Sequence, residues 1–166
     1  MKQTTAALTL RKATFDDGPF LLALRNSDDV RSQSKAKDVI SEETHRKWLQ
    51  THLENPDTTI WIIEQSGEKQ GYIRAQRLED RDGSERGSWL LSIALQRSAR
   101  RQRHASWALK EACRLMREDV GAESLVAEVF ATNAAGRRLF KSAGFVDKSA
   151  SAGDQSAVVR FEFPLG

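Results

Sequence analysis

The spacing of apolar and polar positions changes several times along the chain, and each change marks an element. Leu8, Leu10 and Ala13 punctuate polar residues with the period of a half-buried strand. Asp16, Asp17 and Pro19 announce a helix with Phe20, Leu21 and Leu24 on one side, ending near Arg25-Asn26-Ser27-Asp28. Residues 30–38 are polar and irregular and read as loop or a short helix. Ser41 is placed to cap a helix over 42–54, and glutamates 42 and 43 suit its positive end. His45, Trp48, Leu49, His52 and Leu53 share one face of that helix, and Asn55-Pro56-Asp57 stops it.

Three β-rich runs follow, at 58–64, 71–78 and 88–96, separated by the turns Ser66-Gly67-Glu68-Lys69 and Asp80-Arg81-Asp82-Gly83. Beyond them, Ala105, Ala108, Leu109, Ala112, Leu115 and Met116 fall at helical spacing. A strand at 124–130, a helix at 134–143, a short strand from Phe145, a polar hairpin loop at 149–155 and a last strand at 158–164 complete the chain.

The stretch 90–109 organises the rest. It passes from an apolar strand through a loop holding Arg97, Arg100, Arg101 and Arg103 into the long amphipathic helix. A charge run by itself is usually a solvated loop. Here it lies between a strand and a helix that are both buried, where open α/β folds place ligands. Free amides and a positive dipole at the helix start favour an anion, polyphosphate above all.

Composition narrows the setting. The 166 residues predict one domain, 1–166, with 39% apolar and 30% charged residues suiting a folded protein. The net charge of +3 admits an anionic cofactor and, less readily, nucleic acid. One cysteine, Cys113, excludes an internal disulfide and reads as a packed thiol. No signal peptide and no run of membrane-spanning length is visible, so a reducing, cytoplasmic setting without a membrane partner is expected. His45, His52 and His104 do not form a ligand cluster with Cys113, and no metal is expected.

Residues 92–105, with Arg100-x-x-Arg103-x-Ala105 at their end, resemble the acetyl-CoA motif of the GCN5-related N-acetyltransferases, whose pyrophosphate loop reads Gln/Arg-x-x-Gly-x-Gly/Ala. Asn133, the following helix with Phe140, and Gly144-Phe145 resemble that family's second signature. The resemblance implies an α+β fold: a mixed, mainly antiparallel sheet of about seven strands, flanked by about four helices, with acetyl-CoA in a splay between central strands. It assigns Ile93, Ala94 and Leu95 to the pantetheine and thioester. Arg100, Arg101, Gln102, Arg103, His104, Ala105 and Ser106 go to the pyrophosphate, and Asn133, Phe140 and Lys141 to the far side of the coenzyme. The sequence departs from the pattern twice. The loop glycines are replaced by Arg101 and Arg103, or by Gln102 and His104 in a register shifted by one, and Phe140 stands where many members carry a proton-donating tyrosine.

Acetyl transfer to an amine needs a base for the amine proton and a donor for the developing oxyanion. Glu128, on the strand just before Asn133, is the candidate base, with Ser92 on the neighbouring strand as second choice. Their other readings are an outward strand carboxylate and a small core-facing residue. For the acceptor, the stretches 25–31 and 40–49 resemble the branch of the family that acetylates the 4-amino group of nucleotide-linked deoxy-aminosugars in pseudaminic acid synthesis. That resemblance implies a UDP-4-amino-deoxysugar held by Arg25, His45 and Trp48, with Arg74 reaching its phosphates. His45 and Trp48 read equally as the buried face of their helix. Two alternatives stand beside this: acetylation of a protein N-terminus, of the ribosomal-protein type, and a degenerate member that binds CoA or nucleic acid without catalysis. A monomer or homodimer is expected.

Overall fold

Strand β2 (Thr58–Gln65) is buried on both faces, and the layers of the protein follow from it. Ile60 and Ile62 point to one side, where Ala13, Leu21 and Leu49 close over them with Phe20, Trp48 and Tyr72 at the margin. Trp61 and Ile63 point to the other, into a larger core with Ile73, Leu91, Leu109, Met116, Leu125 and Phe161. Coverage on both faces is why this strand reads as a continuous apolar run, Ile-Trp-Ile-Ile, and not as strict alternation. The computed structural model describes residues 7–100, 103–148 and 158–165. Arg101, Gln102 and the expected hairpin loop at 149–155 lie outside them.

Seven strands form one sheet in the order β1-β2-β3-β4-β5-β7-β6. β1 (Leu8–Lys12), β2, β3 (Glu68–Arg77) and β4 (Ser88–Leu95) run antiparallel, as do β5 (Ser124–Phe130), β7 (Val158–Pro164) and β6 (Val146–Asp147). The two halves meet through a parallel pairing of β4 with β5. The sheet is therefore mixed and mainly antiparallel, in an α+β fold, as expected. Five α-helices accompany it: α1 (Gly18–Asn26), α2 (Asp28–Ser32), α3 (Glu42–Glu54), α4 (His104–Leu115) and α5 (Ala134–Ser142). The addition over the expected four is α2, a single short turn opened by Asp28 and Asp29. α1 and α3 cover the Ile60–Ile62 face, and α4 and α5 the other.

Local chemistry sets the ends. Ser41 Oγ accepts from the Thr44 amide and starts α3, and Asn133 Oδ1 accepts from the Gly136 amide and starts α5. α4 buries His104, Ala108, Leu109, Ala112 and Cys113, with Met116 buried just past its end, so its stripe is turned slightly from the expected one: Ala105 and Leu115 are only half-buried. The alanines let the helix lie close on the sheet. Burial pushes the Cys113 thiol up to about 11, which keeps it an inert core group.

One polar group is buried by design of the surrounding chain. Asp17, 2% exposed, accepts two bonds from the Arg11 guanidinium at 2.8 Å each, one from the Thr14 amide at 2.8 Å, and pairs with Lys69 at 2.8 Å. It ties β1, the start of α1 and β3 together. These partners, Arg11 foremost, hold its carboxyl well below the usual carboxylate range. Nearby, Gly71 is where β3 passes closest to β4: a Cβ there would lie 2.2 Å from the Ala94 carbonyl oxygen, so only glycine fits.

Candidate active site

β4 and β5 are paired at only three positions, Ser88 with Ser124, Trp89 with Leu125 and Leu90 with Val126. Past them the strands part, and β4 from Leu91 to Leu95 presents an unpaired edge on that side. The gap opens a cleft of about 1150 Å³. It has two halves. The C-terminal part of β4, the start of α4, the end of β5 and α5 form one; α1, α2, the segment before α3, α3 itself, and one face of β2 and β3 form the other.

Most residues singled out from the sequence line this cleft. In the first half these are Ser92, Ile93, Ala94, Leu95, Arg100, Arg103, His104, Ala105, Ser106, Glu128, Asn133 and Phe140; in the second, Arg25, His45, Trp48 and Arg74. Lys141 is the correction. It is exposed and does not line the cleft, being one residue past Phe140 on α5 and so rotated away; Arg138 and Leu139 line it instead. Phe140 lies at the cleft wall but is only 5% exposed, set against Phe145 and Phe161 at centroid distances of 5.2 and 6.1 Å. Asn133 spends its side-chain oxygen on capping α5.

The arginine loop is arranged differently from a plain basic cradle. Arg97 and Arg100 both reach Asp29 of α2, at 3.0 and 3.2 Å, and Arg100 also donates to the Leu95 carbonyl at 3.1 Å. Arg97, backed by Arg100, holds the Asp29 carboxyl below its usual range. Arg103 adopts φ +61°, the left-handed region that favours glycine, and no side chain caps the helix it precedes. This is the backbone consequence of losing the loop glycine. The chain keeps the turn and accepts strain of about 1 kcal/mol. Arg103→Gly is accordingly expected to stabilise the fold by up to about 1 kcal/mol, read as a raised urea midpoint; an unchanged or lowered midpoint would mean that the arginine side chain supports the loop.

The α4 start fits a diphosphate. Its first-turn residues His104, Ala105 and Ser106 line the cleft with no side-chain cap, and the buried His104 Nδ1 has no hydrogen-bond partner among the described residues.

In the second half, alternation along β3 puts Tyr72 and Arg74 on the cleft face, opposite Ala94 and Ser92 of β4. The Arg74 guanidinium lies over the Trp48 ring at 5.5 Å, and Trp48 stacks between His45 and His52. Arg25 donates to the Ala36 carbonyl at 2.7 Å, while its Nη1 is buried without a partner among the described residues. Burial lowers the His45 pKa, which favours the uncharged ring, and raises that of Tyr72, which stays protonated. Tyr72, Asp29 and Lys35 are among the polar cleft residues that sequence reading missed. For Tyr72 the signal was present, since it sits two residues before Arg74 on one strand face.

Glu128 reaches the cleft because its cross-strand neighbour lets it go. Arg160 stands opposite it in register, but its guanidinium is taken by Glu85 at 2.8 Å and Glu162 at 2.9 Å. Glu128 pairs instead with Lys35, from the segment between α2 and α3. Among the described residues, no cluster of His, Cys, Asp and Glu suits a metal ion, and no helix is long and apolar enough to cross a membrane.

Residues 7–146 match the family model described as an acetyltransferase (GNAT) domain. Among solved structures, a spermidine N-acetyltransferase from Vibrio cholerae in complex with CoA and spermine superposes with a TM-score of 0.81 at 15% identity, covering 95% of each chain. A ribosomal-protein-alanine N-acetyltransferase from Brucella melitensis gives 0.77 at 23% identity, over 94% of this chain and 99% of that one. An N-acetyltransferase from Staphylococcus aureus Mu50 gives 0.78 at 20% identity, over 97% and 100%. No curated protein matches the sequence. With a family match spanning most of its length and a cleft at the parting of its two central strands, the chain belongs to the GNAT family of acetyl-CoA-dependent N-acyltransferases.

Proposed function

We propose that this enzyme acetylates the primary amine of a small acceptor bearing negative charge, a UDP-4-amino-deoxysugar being the specific candidate. The observation that carries this is the acceptor half of the cleft. Arg25 and Arg74 both face it, and among the described residues neither has a carboxylate partner and one buried Arg25 nitrogen has no hydrogen-bond partner. A buried guanidinium nitrogen left open is costly unless a ligand anion completes it. Trp48 and His45 line the same half of the cleft, and Trp48 carries the Arg74 guanidinium over its ring. A polyamine such as the Vibrio cholerae relative's substrate would bring further positive charge to the same place.

In this reading the free edge of β4 at Ile93–Leu95 pairs with the amides of the pantetheine arm, and a β4 amide supplies the oxyanion donor. His104, Ala105 and Ser106, with Arg100 and Arg103, hold the diphosphate. Arg100 exchanges Asp29 for it. Asn133 and Phe140 close the far side. Glu128 takes the amine proton, and Ser92 is the next side chain on that face. Phe140 has no proton to give; we assign the leaving thiolate's proton to Tyr72, which lines the cleft opposite Ala94 and is protonated.

The test is release of free thiol from acetyl-CoA with three acceptors: a UDP-4-amino-deoxysugar, spermidine, and a peptide with a free N-terminal alanine. The sugar nucleotide is expected to be preferred, and Arg74→Ala to raise its KM by about 10- to 100-fold, the worth of one charge-assisted bond, without altering acetyl-CoA affinity. Preference for spermidine or the peptide would reject the anionic acceptor.

A further inference from the structure

We infer that Lys35 is an acetylation site, modified within the chain's own cleft. This rests on the acetyltransferase reading of that cleft. The geometry is direct: the Lys35 ammonium donates to Glu128, the candidate base, so an amine of the chain already stands where the base meets the acceptor amine. Lys35 is also the lysine that lines the cleft among the described residues.

The placement is held from both sides. Asp29 is held by Arg97 of the coenzyme loop, a bridge that remains when Arg100 turns to the diphosphate. Ser34 Oγ donates to the Val30 carbonyl at 2.7 Å, Arg25 to the Ala36 carbonyl at 2.7 Å, and Arg31 to the Lys37 carbonyl at 2.9 Å. Lys37 lies over the Phe130 ring at 5.3 Å, on the strand that carries Glu128. A segment bonded at 29, 34, 36 and 37 carries Lys35 as a positioned group, and a positioned nucleophile has the advantage of an intramolecular reaction.

The step balances without any further reactant than the acetyl donor. Glu128 takes one proton from the Lys35 ammonium. The freed Nζ lone pair attacks the thioester carbonyl carbon, a C–N bond forms and the C–S bond breaks. The thiolate leaves with a proton from Tyr72, which regains one from the former ammonium nitrogen, giving free CoA thiol. Glu128 releases its proton to solvent. The product amide is uncharged, so it no longer neutralises Glu128, and the base is left open to an incoming amine. Self-acetylation would in this way remove an internal occupant of the acceptor site.

The full chain is incubated with trideuterated acetyl-CoA and followed by intact mass and peptide mapping. Label is expected on Lys35 at least about tenfold faster than on the exposed Lys47 and Lys110, at a rate independent of protein concentration. Glu128→Gln should slow it by roughly 10²-fold. Lys35→Arg should abolish it while acetyl-CoA still raises Tm. Unlabelled acetyl already on Lys35 in the purified protein, and absent from purified Glu128→Gln, counts as the same result. Labelling of Lys35 no faster than of Lys47 and Lys110, in a chain whose Tm acetyl-CoA raises, overturns the inference and leaves the coenzyme reading standing. A rate proportional to protein concentration overturns it in favour of transfer between molecules. Neither label nor a Tm rise rejects both.

Discussion

Glu128→Gln is expected to lower kcat by roughly 10²- to 10⁴-fold, the usual worth of a general base, while leaving the acetyl-CoA Kd within about twofold. The side chain reaches the cleft, keeps its shape on replacement, and loses only the capacity to take a proton. Stability should barely move. The Lys35–Glu128 pair is partly solvent-exposed, and such pairs contribute about 1 kcal/mol or less. The pH profile separates a base from a mere spacer. Without the carboxylate, the reaction depends on the fraction of acceptor amine already neutral, so kcat/KM of the variant should climb with pH more steeply than that of the parent. A fully active variant with an unchanged profile would move the proton acceptor elsewhere on the same face, to Ser92 or a water it holds.

The elements of this fold were legible because each writes its own period. The 58–64 run, the Ser41 cap, the 124–130 strand and the small-residue face of α4 can each be read from neighbours a few positions apart. The cleft was legible for a related reason: most of its coenzyme half comes from the strand-loop-helix unit 90–106 and the 128–140 unit, each continuous in sequence. What was not legible depends on where distant segments come to rest. Asp29 meets Arg97 and Arg100 across 68 and 71 residues, and Lys35 meets Glu128 across 93. Nothing local in Asn26-Ser27-Asp28-Asp29 marks one aspartate for the coenzyme loop. Lys141 shows the opposite limit. A motif places it near Phe140, but the 100° step of a helix sends it to solvent. Arg103 shows a third: a substitution that looks like loss of a turn is a turn retained in the same left-handed conformation under strain.

Asp17→Asn is expected to destabilise the fold by about 2–3 kcal/mol at pH 7, below the 3–5 kcal/mol typical of a fully buried broken pair because Arg11 and Lys69 are themselves about a third exposed. The amide keeps the shape and can still accept from the Thr14 amide, so the loss isolates the charge that β1 and β3 share. The pH dependence fixes the assignment. Asp17 is held ionised in the folded state well below the unfolded carboxyl value of about 3.9, so the unfolded chain binds the proton first. Its contribution is complete above about pH 4–5 and is lost as pH falls further toward the folded-state value. Urea midpoints measured from pH 7 downward should therefore fall less steeply for the variant than for the parent in the acid range, and the gap between the two should narrow there. Curves that stay parallel down to the acid limit would show that Asp17 stabilises by shape and hydrogen bonding alone, and that the charge of Arg11 is balanced by Glu64, its other partner at 2.7 Å.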